Sequence, residues 1–277
     1  MSTLAHRVVV HESPSVGQTG TLYILHGFLG SGRNWTSVAT RLVDLRPDWR
    51  AVLVDLRLHG DSRGLPVLGH NNLTSCAEDL FRLHDRISRR DQPAALLGHS
   101  FGGKIALVAT STFHPPPVQT WVIDSTPEPS PGEGSSTRML ELLSQSPTKF
   151  ASRDEAVAWV RAGGFDEPTA RWMAMNLRRM GDDWAWQLDV PALQDLLADF
   201  ARADLWPVVE FPPEGTDIRF VQAAHDSILS ANSHARLQGI EGRGEPIRIT
   251  QLSGGHWLHI DNPLGLLELL AAQLPRV

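Results

Sequence analysis

The sequence has little of what several classes of protein depend on. A single cysteine, Cys76, stands among 277 residues, so no internal disulfide can form and nothing points to an oxidising compartment. No apolar run approaches the ~18 residues that a membrane span needs. The net charge of −6, without a long basic stretch, offers nucleic acid no electrostatic attraction. We therefore expect a cytoplasmic protein that neither binds nucleic acid nor spans a membrane.

Motifs for cofactors and metals are also missing. No P-loop and no G-x-G-x-x-G signature follows a predicted strand. The pair His256 and His259 has neither the helical i, i+4 spacing nor the adjacent glutamate of a zinc site. The sequence therefore predicts a protein without a cofactor or a metal ion.

What is present is the pattern of an α/β domain. Short apolar runs at residues 21–25, 51–54, 94–97 and 118–123 are each followed by Gly, Asp or Pro, as buried parallel strands are. Helical patterns over residues 33–45 and 73–87 lie between them. This alternation predicts a mostly parallel central sheet flanked by helices.

The rhythm changes after Asp124. A turn-rich stretch over residues 127–134 precedes a region, to about residue 205, that reads as helices with no obvious strand. One predicted helical face there carries Met173, Leu177 and Met180. Strands resume at residues 218–221 and 247–252, before a last helix over 263–274. We expect residues 1–126 and 208–277 to form the core, and residues 127–207, called the insertion below, to form a helical lid.

The sharpest chemical signal is Gly-His-Ser-Phe-Gly at residues 98–102, between a predicted strand and a predicted helix. A G-x-S-x-G sequence in that context predicts a nucleophile elbow with Ser100 as nucleophile. Glycines flank the serine because a tight strand-to-helix turn leaves no room for side chains. The helix N-terminus behind it favours negative charge at the reaction centre.

A serine hydroxyl needs a base, and the base needs an acid that orients it. His256 follows the predicted strand at 247–252 and is the expected base. Two aspartates compete for the acid: Asp226, which follows one strand, is narrowly favoured over Asp124, which follows another. Both loops are expected to open toward the sheet edge where Ser100 lies.

Acyl transfer also needs donors for the oxygen of the tetrahedral intermediate. We expect the backbone N–H groups of Phe101, directly after the nucleophile, and Phe28, after the first long strand, to supply them. The side chains expected to contact substrate are those of Phe28, Leu29, His99 and Trp257.

These residues together resemble the α/β-hydrolase superfamily over nearly the whole chain. The matching segments, in chain order, are residues 26–28, 55–62, 98–103, 124–127 and 255–259. The resemblance implies the α/β-hydrolase fold, whose active site lies at the end of the sheet.

Shorter phrases resemble the small bacterial carboxylesterases related to mitochondrial abhydrolase-domain proteins. They are residues 25–31, 71–73, 175–177 and 186–188. This resemblance implies hydrolysis of esters or thioesters, including compounds of the acyl-CoA type. It also implies that the acid comes from the position matching Asp124, which leaves the choice between Asp124 and Asp226 open.

The predicted function is that of a serine hydrolase, which cleaves a small-molecule ester or thioester through an acyl-enzyme. Two alternatives remain: a C–C bond hydrolase or enol-lactonase that uses the same residues, and a non-catalytic ligand receptor of the same fold.

Overall fold

The computed structural model describes residues 3–12, 19–66, 68–89, 92–130 and 134–277. Part of the predicted turn-rich stretch, residues 131–133, lies outside the described residues. The strands, in chain order, are β1 (His6–Val9), β2 (Gly20–Leu25), β3 (Trp49–Val54), β4 (Ala94–His99), β5 (Gln119–Ile123), β6 (Leu177–Met180), β7 (Asp183–Trp186), β8 (Asp217–Ala223) and β9 (Ile247–Leu252).

From β2 onward, at least one helix lies between consecutive strands of the core. The helices are α1 (Thr36–Leu45), α2 (Leu73–Ile87), α3 (Phe101–Thr112), α4 (Ser135–Ser144), α5 (Arg153–Ala162), α6 (Glu167–Met173), α7 (Val190–Arg202), α8 (Trp206–Glu210), α9 (Ala231–Gly242), α10 (Leu258–Asp261) and α11 (Pro263–Gln273). Short 3-10 helices form at Gly32–Trp35, Gly60–Ser62 and Ala174–Asn176. Among the described residues, no helix has both the length and the apolar character to cross a membrane.

Within the described residues, seven strands form one sheet in the order β1-β3-β2-β4-β5-β8-β9. The first strand pairs antiparallel to β3, and the other neighbours are parallel. The predicted mostly parallel α/β fold is confirmed. Strand order reverses between β2 and β4, where Leu25 is paired with Gly98. In open parallel sheets, ligands bind outside the carboxyl ends of the strands at such a switch point.

The sheet is covered on both faces. Along β2, Leu22 and Ile24 pack in one apolar cluster with α1 and α11, whereas Tyr23 and Leu25 pack in another with α2 and α3. Because successive side chains of a strand point to opposite faces, a continuous apolar run is what a strand buried on both sides requires. This double burial fixes the carboxyl ends of β2 and β4 side by side.

The insertion lies between β5 and β8 and corrects one expectation. Besides helices α4 to α7, it contains an antiparallel hairpin of β6 and β7. The predicted single helical face of Met173, Leu177 and Met180 was therefore wrong: Met173 ends α6, and the other two residues bound β6. Two residues connect the strands, and the first, Gly181, has a φ of 66°, which suits a tight hairpin turn.

Candidate active site

The nucleophile elbow is present between β4 and α3. Ser100 has a φ of 53°, a conformation that side chains other than glycine adopt at a cost. A Cβ atom at Gly102 would lie 2.6 Å from the carbonyl oxygen of Leu25, and one at Gly98 would overlap the carbonyl of Gly102. Both glycines are therefore required by close approach of the backbone. The elbow holds Ser100 at the edge of the sheet, half-buried.

His256 and Asp124 form a short hydrogen bond beside the elbow. His256 follows β9, and its Nδ1 lies 2.6 Å from Oδ2 of Asp124, which directly follows β5. When Nδ1 donates its proton to a carboxylate, Nε2 is left with a free electron pair. Ser100 and His256 line the same two cavities. The arrangement therefore places a base with a fixed tautomer at the cavities that contain the serine.

The carboxylate of Asp124 is buried and held from several sides. Oδ1 accepts hydrogen bonds from the amide of Ala223 at 3.0 Å and from the hydroxyl of Ser227 at 2.5 Å. Burial alone would raise the pKa of Asp124, but the hydrogen bonds from His256, Ser227 and Ala223 hold that pKa below its ordinary value. The group is thus kept ionised. Ser227 had not been singled out in the sequence, because nothing local in its loop indicates the contact.

Asp226, the aspartate that the sequence narrowly favoured as the acid, is not the aspartate that contacts His256. Asp226 lies three residues beyond the end of β8, is exposed, and lines the larger of the two cavities that Ser100 and His256 also line. No hydrogen bond joins it to His256 within the described residues. The reason is the strand order: the amide of Asp124 bonds to the carbonyl of Val221 in neighbouring β8, which directs its side chain toward the adjacent loops.

The two predicted oxyanion amides lie on neighbouring loops. Residues 27–30 form a turn closed by a 3.0 Å bond from the amide of Gly30 to the carbonyl of Gly27, which leaves the amide of Phe28 unused by the turn. Phe101 is the first residue of α3, so its amide has no partner within the helix. The rings of Phe28 and Phe101 are 5.3 Å apart, edge to face. The turn and the helix start are thereby brought together.

Four neutral histidines are buried around this centre: His26, His59, His99 and His259. Burial lowers the pKa of His26 to about 4, that of His59 to about 3 and that of His259 to about 4. The pKa of His99 is also well below its ordinary value, first through burial and then through the charge of His256. The amide of Leu56 donates to Nε2 of His26 at 3.0 Å, so Nδ1 donates to the carbonyl of Gly27.

Two cavities open at Ser100 and His256, and both lie between the core and the insertion. The smaller, about 160 Å³, is lined by all four side chains predicted to contact substrate, together with Met139, Phe165 and Trp172 of the insertion. The larger, about 460 Å³, is lined by Ser130, residues 134–137, Phe200 and Asp226 among others. The lining residues of the insertion were not among the predicted substrate contacts, because apolar residues there have the pattern of an ordinary core.

Among the described residues, no group of three or more His, Cys, Asp or Glu side chains is placed to hold a metal ion.

The profile of the Alpha/beta hydrolase family matches residues 22–269. The chain belongs to this family.

The chain is similar to a lipase, a synthase and an esterase. The chain is 25% identical to "sn-1-specific diacylglycerol lipase ABHD11" of Danio rerio, over 91% of this chain and 77% of the relative. It is 26% identical to "2-succinyl-6-hydroxy-2,4-cyclohexadiene-1-carboxylate synthase" of Serratia proteamaculans, over 90% and 89%. Among solved structures, a "Marine microorganism esterase" matches with a TM-score of 0.81 and 21% identity, over 98% of this chain and 99% of that one. Homologues named as lipase and esterase support hydrolase activity for the chain.

Proposed function

We propose that the protein is a serine hydrolase that cleaves small carboxylic esters or thioesters through an acyl-enzyme. The observation that carries this proposal is the 2.6 Å bond between His256 and the buried carboxylate of Asp124, beside cavities that Ser100 lines. A serine hydroxyl is activated at neutral pH when a histidine beside it acts as base and a carboxylate orients that histidine.

The proposed reaction has two steps, acylation of Ser100 and hydrolysis of the acyl-enzyme, and the same groups act in both. Nε2 of His256 takes the proton of the Ser100 hydroxyl as Oγ attacks the acyl carbon. The amides of Phe28 and Phe101 stabilise the oxyanion, and Asp124 stabilises the imidazolium that forms. His256 then protonates the leaving alcohol or thiol. Water, activated by His256 in the same way, releases the acid and restores Ser100.

We propose that the insertion acts as a lid and that the two cavities bind different parts of the substrate. The smaller cavity is lined by the turn of Phe28 together with Met139, Phe165 and Trp172, so it suits an apolar acyl group. The larger cavity contains several hydroxyl groups and Asp226, so it suits a more polar leaving group. A volume of about 160 Å³ is small for an acyl site, which favours esters of short acids.

Hydrolysis of p-nitrophenyl esters from acetate to palmitate tests this proposal. We expect turnover to be highest among the short esters, and Ser100→Ala to lower kcat/KM by about 10³-fold or more. A Ser144→Ala variant is the matched control, because Ser144 is exposed and lines neither cavity, and it is expected to retain activity. Equal activity of wild type and Ser100→Ala would contradict the proposal.

A second reaction class is favoured by one observation, the similarity to a relative whose name describes a synthase. In that case the same serine, histidine and aspartate would cleave a C–C bond, or would open an enol lactone, which is a cyclic ester, instead of an open-chain ester. A folded wild-type protein that is inert toward the whole ester series would favour this class over ester hydrolysis.

A further inference from the structure

A separate cavity of about 230 Å³ lies where the core meets the insertion, beyond the turn of Leu29. Four arginines line it. Arg33 and Arg63 belong to the core, and Arg153 and Arg178 belong to the insertion. Leu29 also lines the smaller cavity at Ser100, so the two cavities are separated by the turn that carries a proposed oxyanion amide.

The carboxylates at this cavity neutralise only part of that charge. Asp55 is buried, and its two oxygens accept hydrogen bonds from the amides of Gly32 and Asp61, each at 2.7 Å. Asp61 is shared: its carboxylate lies 3.0 Å from Nη2 of Arg33 and 3.4 Å from Nη2 of Arg178. Thus two aspartates face four arginines, and one of the aspartates is already occupied by backbone amides.

The other two guanidinium groups have no carboxylate partner within the described residues. Nη1 of Arg63 donates to the carbonyl of Asn176 at 3.1 Å, and Nη2 of Arg153 donates to the carbonyl of Ala174 at 2.8 Å. Each guanidinium has five N–H groups, so donors remain on both. The pKa of Arg63 is lowered, first by burial and then by the charge of Arg178. The charges of Asp61 and Asp55 act in the opposite direction, so the repulsion from Arg178 is only partly offset at Arg63.

We propose that this cavity is a binding site for a phosphoryl group, held between arginines of the core and arginines of the insertion. The excess of positive charge over carboxylates matches a dianion better than a single carboxylate, and a phosphate monoester is largely dianionic at pH 7. Guanidinium groups bind phosphate oxygens in bidentate geometry, which gives specificity as well as affinity. An anion there joins the two parts of the chain beside the Phe28 turn.

Titration calorimetry of the intact protein with inorganic phosphate tests the site. We expect binding to the wild type and a dissociation constant about tenfold higher for Arg178→Gln. Arg33→Gln is a second variant with the same expected loss; the Arg33 side chain is 76% exposed, so its removal leaves the fold intact. The matched control is Arg179→Gln, since Arg179 is adjacent in the chain but lies outside the cavity and near Asp182.

The control is expected to bind phosphate as the wild type does. Absence of phosphate binding by the wild type would overturn the proposal, and so would an equal loss in Arg179→Gln. Because calorimetry needs no turnover, this result is independent of whether the protein is a hydrolase.

A second measurement distinguishes a phosphate carried by the substrate from free phosphate, and only this arm rests on the proposed hydrolase function. It compares butyryl-coenzyme A, which carries phosphates, with butyryl-N-acetylcysteamine, which carries none. If the phosphate belongs to the substrate, Arg178→Gln raises KM about tenfold for butyryl-coenzyme A and leaves KM for butyryl-N-acetylcysteamine unchanged. If the site takes free phosphate, neither KM changes although the calorimetric loss remains. A rise in KM for both thioesters would contradict an anion site, since Arg178 would then act on the shape of the active site.

Discussion

Two aspartates, in loops that follow the neighbouring strands β5 and β8, differ because of what surrounds each side chain. Asp124 is buried and accepts hydrogen bonds from His256, Ser227 and the amide of Ala223. Asp226 is exposed and lines the larger cavity. The first can fix the tautomer of a histidine, whereas the second can only influence the charge of what enters the cavity.

Replacement of each aspartate by asparagine separates these roles. We predict that Asp124→Asn lowers kcat/KM for p-nitrophenyl butyrate by about 10³- to 10⁴-fold, because an amide no longer holds the histidine in the required tautomer. Asp226→Asn is expected to change it by less than about fivefold. Steady-state kinetics of both variants at one pH measures the difference, and a larger loss in Asp226→Asn would show the assignment of the acid to be wrong.

At the scale of elements, much of the core was predictable because its signals are local. The helix Leu73–Ile87 and the strand Ile247–Leu252 have the predicted bounds. The helix begins where the side chain of Asn72 accepts a hydrogen bond from the amide of Ser75, a typical N-cap. The elbow was predictable for the same reason, since its glycines and its serine are consecutive.

What could not be predicted depends on contacts between distant parts of the chain. The pairing of His256 with Asp124 follows from the order of β5, β8 and β9, which no local pattern encodes. The hairpin of the insertion had a local signal in Gly181, but the surrounding apolar residues also fitted helical spacing. Helix Ala231–Gly242 was not predicted, because it contains several residues of low helix propensity.

The insertion is attached to the core by a buried lysine of α3. Nζ of Lys104 donates to the carbonyls of Glu128 and Phe200, each at 2.8 Å, and to that of Ala203 at 3.1 Å. The last two carbonyls belong to the end of α7, where unpaired carbonyl groups and the helix dipole favour a cation. This attachment fixes the helix that carries Phe200 against the larger cavity.

For the whole molecule, the buried histidines link stability to pH. His26, His59, His99 and His259 have folded-state pKa values below the ordinary value of about 6.5. Between roughly pH 4 and 6.5 the unfolded chain therefore binds more protons than the folded chain. The free energy of unfolding is thus fully present above about pH 6.5 and falls as the pH is lowered.

We predict that the protein unfolds in acid at about pH 4 to 5. A buried histidine whose pKa falls from 6.5 to about 4 lowers the free energy of unfolding by about 3 kcal/mol once the pH is below about 4. Several such histidines together approach the ~5–15 kcal/mol stability of a typical domain. His259→Phe, which retains the stacking on Trp35, is expected to be increasingly favourable relative to wild type from pH 7 to pH 5. Urea denaturation at both pH values measures this, with exposed His70→Gln as control. The same stability difference at both pH values would refute the linkage.

The central claim, that Ser100 forms a covalent intermediate, is tested most directly by labelling with an alkyl fluorophosphonate and mass spectrometry of the intact and digested protein. These reagents react with a serine that an adjacent base activates. We predict one label per chain, on Ser100, with none in Ser100→Ala and slow labelling in Asp124→Asn. An unlabelled wild type, or a label on another serine, would contradict it.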